Sequence, residues 1–126
     1  MAIDTSALLA IAFGEAQREA CITAMELDAD VIISAGTLTE ALIVSALRGF
    51  GDNVASVVRD LRMEVIPITE ASARRAAVAY ERWGKGIHPA GLNFGDCFAY
   101  EVATDRHCPL LFVGNDFART DIKSVL

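Results

Sequence analysis

Four carboxylates stand where carboxylates are costly. Asp4 directly follows the strand-like Met1-Ala2-Ile3, and Asp116 follows the apolar run 110–113 with two residues between. Asp96 shares one helical face with Ala99, Tyr100 and Ala103, at i, i+3, i+4 and i+7. Glu40 repeats the pattern, with Ile43, Val44 and Leu47 at the same offsets. An isolated buried carboxylate takes a proton or finds a cation. A cluster of them suits a hard divalent ion such as Mg²⁺ or Mn²⁺, which prefers oxygen ligands. Such an ion can polarise a phosphodiester and lower the pKa of a bound water. Each acid also has an ordinary reading. Asp4 could cap a helix beginning near Thr5 or Ser6, and Asp116 could close an Asx turn. Glu40 could pair with an arginine or reach solvent, and Asp96 could complement its helix dipole. Spacing along the chain leaves their convergence in space open.

The elements that must position these acids alternate between strand and helix. A first strand ends at Asp4, and SALLAIAF and EAQREACITAMELD read as helices. DVIIS is a short strand, followed by helices near 36–48 and 52–62. EVIPI is the next strand, and EASARRAAVAYERW is a helix with Glu70 near its start and Gly84 as its stop. Residues 84–91 form a loop by their Gly and Pro content; a helix runs from about 94 to 105, and PLLFV is the last strand. Short apolar strands between helices predict an α/β fold with a mainly parallel central sheet covered on both faces. Ligands of such sheets bind beyond the carboxyl ends of the strands, where Asp4 and Asp116 fall.

The chain of 126 residues is the size of one domain, read as 1–126, and can bury a core without disulfides. Its 53% apolar and 22% charged content excludes disorder. Cys21, Cys97 and Cys108 have no CxxC spacing and read as reduced apolar residues. His88 and His107 are too few and too scattered for a zinc site. No GxSxG turn supports serine catalysis. No leader or membrane-length run is visible, so the expected location is the cytoplasm. A net charge of −6 argues against tight nonspecific nucleic-acid binding, but not against a nuclease whose acids await a metal.

The segments IDTSALLAI, TLTEALIV, LNFGDCFAYEVA and PLLFVGNDFARTDI, in that order and spacing, make the sequence resemble the PIN-domain ribonucleases, specifically the VapC toxins of type II toxin–antitoxin pairs. The resemblance covers essentially the whole chain, and GDCFAYEVA followed by LLFVGNDF is its most specific part. It implies a three-layer α/β/α fold with an acidic pocket for Mg²⁺ or Mn²⁺. Asp4, Glu40 and Asp96 match the family's three most regular acids, and Asp116 its fourth acid region. Some relatives carry that acid one position earlier, where this chain has Asn115. Ser6 matches a hydroxyl that supports the metal shell. The resemblance further implies metal-dependent hydrolysis of an RNA such as a tRNA or rRNA, a VapB-type antitoxin and a toxin homodimer.

Candidate RNA contacts are the basic residues near one helical quadrant, Arg74, Arg82 and Lys85, with Arg119 past the last strand. A positive mean hydropathy of +0.37 fits an exposed apolar interface. Among the other readings, an inactive PIN-fold binding module would lack an acid, and none is missing. A haloacid-dehalogenase-type phosphatase needs a second Asp two residues after Asp4, where Ser6 stands. A receiver-type domain needs an acid pair at the first strand and a phosphoacceptor Asp after a middle strand, and has neither.

Overall fold

The computed structural model describes residues 1–126, the surroundings of Gly51 apart. Its elements run β1 (Ala2–Ile3), α1 (Thr5–Phe13), α2 (Arg18–Glu26), β2 (Ile32–Ser34), α3 (Ala35–Leu47), α4 (Gly51–Asp60), β3 (Glu64–Ile66), α5 (Glu70–Trp83), α6 (Asp96–Asp105) and β4 (Leu110–Leu111). The four strands pair in the order β3-β2-β1-β4, all parallel, so the first and last strands lie side by side, β1 inside the sheet and β4 at the end opposite β3.

Alternation along each strand divides the core in two. Ile3, Ile33 and Leu111 point into one cluster with Ala7, Leu8 and Ile11 of α1, Cys21 and Met25 of α2, Ala41 of α3 and Val54 of α4. Ala2, Ile32, Leu110 and Phe112 point the other way, against Ala76, Ala79 and Trp83 of α5 and Ala99, Tyr100 and Ala103 of α6. The sheet is thus the middle of three layers. The predicted α6 stripe of Asp96, Ala99, Tyr100 and Ala103 is buried throughout.

The helices start and stop on local signals. Asp4 caps α1, and Gly14 ends it at φ +70, a left-handed conformation that glycine adopts without strain. Ser34 caps α3 through Gly36 N–H at 3.2 Å. Thr69 and Ser72 form a reciprocal capping box on α5. The cysteines are free, with Cys21 and Cys97 buried. Among the described residues no helix is long and apolar enough to cross a membrane.

Three sequence expectations are corrected. The strand expected over PLLFV shrinks to Leu110–Leu111, because the chain turns away towards Gly114 at φ +99. The β3 strand is not covered on both faces: it is the sheet edge, and Glu64 and Val65 are exposed. The Glu40 stripe is not the buried face of α3. That face is Thr37, Ala41 and Ser45, while Ile43 and Leu47 are 55% and 83% exposed. Small residues let α3 approach its neighbours closely, and its larger apolar side chains turn outward.

Candidate active site

Asp4 leaves β1 at the carboxyl edge of the sheet and is buried. Its Oδ2 accepts hydrogen bonds from Ser6 N–H at 2.9 Å and Ser6 Oγ at 2.6 Å. Its Oδ1 is buried and has no hydrogen-bond partner. Burial raises the Asp4 pKa; the Ser6 bonds oppose this, and the charge of Glu40 adds to it. The capping reading of Asp4 therefore holds for one oxygen, while the other has no partner in the chain. Ser6 Oγ also accepts from Val113 N–H at 3.0 Å, tying the segment after β4 to the Asp4 turn.

Glu40, one helical position from the buried α3 face, is half-buried. Thr5 Oγ1 lies 2.8 Å from Glu40 Oε2, to which it donates, and 3.3 Å from the Thr37 carbonyl. The carboxylate lies against Gly95, where a Cβ would come within 2.3 Å of Glu40 Oε2. A glycine at this position is what lets α3 and α6 bring Glu40 beside Asp96.

Asp96 opens α6 and is buried. Asn93 N–H donates to Asp96 Oδ2 at 2.7 Å, and Asp96 N–H donates to Asn93 Oδ1 at 2.9 Å. This reciprocal pair has the logic of a capping box, and it fixes the carboxylate while leaving Oδ1 free of it. Burial pushes the Asp96 pKa up to about 7; the Asn93 bond opposes the rise, and the charges of Asp4, Asp116 and Glu40 add to it. The charges of three acids from distant segments of the chain thus act on this one carboxylate. Cys97, next along α6, is a poor nucleophile, its thiol pushed up to about 11 by burial and by Asp96.

Asp116 is exposed, on the turn after β4. Buried Phe117 anchors that turn against Phe112, with ring centroids 5.1 Å apart. Further along, Asp121 Oδ1 accepts from Tyr100 Oη at 2.6 Å, which itself accepts from Trp83 Nε1 at 3.0 Å. Asn115 is exposed beside Asp116, and its carbonyl accepts from Ala118 N–H at 3.1 Å.

Among the described residues no three His, Cys, Asp or Glu side chains are drawn close enough to hold a metal ion as they stand. The donor set nevertheless suits a hard divalent cation. It consists of oxygens, it contains the orphaned Asp4 Oδ1, and it carries like charges that a cation would relieve.

The basic residues of α5 are engaged elsewhere. Arg74 pairs with Glu70 at 2.7 Å, and Arg82 pairs with Asp121 at 3.1 Å while lying over the Trp83 ring. Arg75 pairs with the buried Glu101 at 2.7 Å. Lys85 is exposed just past α5, and Arg119 borders a pocket with Asp116. Sequence reasoning missed Thr5, Asn93 and Gly95. The available signals were a hydroxyl adjacent to Asp4, an Asn three residues before Asp96, and a glycine immediately before it.

Known proteins share this arrangement of chain and fold. The PIN domain model matches residues 1–123. Ribonuclease VapC28 of Mycobacterium tuberculosis is 42% identical, over 100% of this chain and 98% of its own. Ribonuclease VapC36 of the same organism is 40% identical, over 98% of this chain and 91% of its own. Ribonuclease VapC of Mycolicibacterium smegmatis is 37% identical over 99% of each. In fold, the chain resembles Mycobacterium tuberculosis VapC20, a toxin that cleaves the sarcin–ricin loop, with a TM-score of 0.78 at 16% identity over 96% of this chain and 95% of that one. It also resembles a chain of a toxin–antitoxin complex from Klebsiella pneumoniae, with a TM-score of 0.69 at 18% identity over 95% and 92%. With full-length likeness in sequence and the same doubly covered parallel sheet, this chain belongs to the VapC ribonucleases of the PIN-domain family.

Proposed function

We propose that this protein is the RNA-cleaving toxin of a toxin–antitoxin pair, acting through Asp4, Glu40, Asp96 and Asp116 with Mg²⁺ or Mn²⁺. The observation that carries the reading is the buried Asp96 carboxyl, raised to about 7 within the field of the other three acids. These four residues would hold the ion, and Asp4 offers it an oxygen with no partner of its own. When bound, a divalent ion supplies charge to a phosphodiester and lowers the pKa of water.

The chain's own residues supply position and proton traffic. Ser6 and Thr5 hold Asp4 and Glu40 through their hydroxyls, and Asn93 holds Asp96. A carboxylate of the set takes the proton that the attacking water loses. Regulation by a VapB-type antitoxin and assembly as a homodimer complete the reading. Leu42, Ile43 and Leu47 on the outer side of α3, with nearby Phe50, supply exposed apolar surface for such contacts.

The test uses the chain purified free of any partner and incubated with structured RNA in Mg²⁺, Mn²⁺ or EDTA. Cleavage is expected with either ion, and its loss in EDTA and in Asp96→Asn. Undiminished cleavage in EDTA would falsify the metal mechanism. Equal activity of Asp96→Asn would remove Asp96 from it.

A further inference from the structure

Beside the acid set lies a pocket of about 480 Å³, lined by Pro89, Ala90, Asn115, Asp116, Ala118 and Arg119. Small-ligand sites span roughly 300–1,000 Å³, so one nucleotide fits. We propose that this pocket is a subsite for the unpaired ribonucleotide next to the scissile bond, with Arg119 binding its phosphate. The inference rests on the ribonuclease reading above and specifies how that substrate is held.

Continuity is the first argument. Asp116 both lines the pocket and adds its charge to the field at Asp96. The pocket and the acid set therefore share a residue, and a strand bound at the acids runs on into the pocket.

Charge is the second argument. Four carboxylates repel a polyanion, so the strand needs cations close to the site. Arg74, Arg75 and Arg82 on α5 are each tied to a carboxylate. Arg119 is exposed and, among the described residues, forms no ion pair. Its one hydrogen bond goes to the Pro89 carbonyl at 3.4 Å, near the limit of such a bond. A guanidinium has five N–H donors in a planar fork, so most remain for a phosphate. Nor does Arg119 close on Asp116, although only two residues separate them on one turn.

Order is the third argument. Ala118 N–H bonds the Asn115 carbonyl at 3.1 Å and Thr120 N–H bonds the Phe117 carbonyl at 3.0 Å. With Phe117 buried, the turn presents Asp116 and Arg119 from a fixed base. The pocket presents a mainly polar surface, which suits a ribose hydroxyl and a phosphate, and the Asn115 amide offers a donor and an acceptor to a base edge.

The test takes a short single-stranded oligoribonucleotide spanning a cleavage site mapped on total RNA. Steady-state cleavage is compared for wild type, Arg119→Ala, Arg119→Lys and Asn115→Ala. Binding of the same oligonucleotide is measured for Asp96→Asn and for Asp96→Asn/Arg119→Ala across a salt series. Arg119→Ala is expected to raise KM about tenfold or more with kcat within about threefold. It should also lower the salt slope of binding by about one, and Arg119→Lys should recover part of the KM. Wild-type KM and salt slope in Arg119→Ala overturn the subsite, as does a loss confined to kcat. Failure of the ribonuclease reading looks different: the wild type then cleaves no RNA with either ion.

Discussion

Asp96 is a carboxyl that folding makes harder to ionise. Its pKa rises from the ordinary 3.8 to about 7, so the metal-free folded chain keeps a proton that the unfolded chain has lost. The sign follows by linkage: this group's contribution to stability is full below about pH 4 and declines as pH rises to about 7. We expect metal-free protein to lose on the order of 4 kcal/mol of stability across that window. Asp96→Asn should flatten the curve and be as stable as wild type, or more so, at pH 8. Saturating Mg²⁺ should flatten it for the wild type by stabilising the ionised form. Urea melts at each pH measure this, and a metal-free Asp96→Asn that melts well below wild type at pH 8 would make Asp96 a structural residue instead. At this scale the acids were readable because each breaks a local pattern, either an apolar stripe or a strand end. Thr5 and Asn93 were not, because a hydroxyl or an amide breaks no pattern. Their roles appear only once Glu40, 35 positions from Thr5, and the turn before α6 are in place.

Among the elements, the approach of α3 to α6 decides the site. Gly36 faces the Phe98 ring, and Gly95 faces the Glu40 carboxylate. Gly95 has φ −64 and ψ −44, which any residue adopts, so its missing side chain serves space and not backbone freedom. Gly95→Ala should therefore leave stability within about 1 kcal/mol of wild type, since alanine is the better helix former. Its Cβ would push Glu40 aside, and cleavage should drop by at least tenfold. A thermal melt alongside an RNA cleavage assay separates the two effects; full activity in a stably folded Gly95→Ala would show that Glu40 can shift without cost. Element type was legible for every strand and helix because capping residues and hydrophobic period agreed along the chain. Ends and faces were less so. The β4 strand lost Phe112 and Val113 towards a turn and Pro109 at its start, and α3 turned its large apolar side outward because its tight contacts require Thr37, Ala41 and Ser45.

For the whole molecule, that outward side is the feature with the broadest effect. Ile43 and Leu47 leave most of their apolar surface uncovered, beside an exposed Phe50, on a molecule of net charge −6 that would otherwise repel its copies. We expect concentration-dependent self-association in sedimentation, abolished in Leu47→Glu with no change in melting temperature at dilutions where the wild type is monomeric. Association that persists in Leu47→Glu would move the interface elsewhere.

The Ser6 hydroxyl, held between Asp4 and Val113, has a consequence in time. It joins residues 107 positions apart, and β1 leaves the ribosome well before β4, the strand that pairs beside it. Contacts of such long sequence separation form late, after the loop between them has closed. In a growing chain the α1–α4 layer is made while β1 still lacks its neighbour, Leu111 is missing from that layer's core and Asp116 has not been made. The four acids proposed as the site can thus come together only when translation of the domain is nearly over, so if the proposed antitoxin is made alongside, it can be present before the site is.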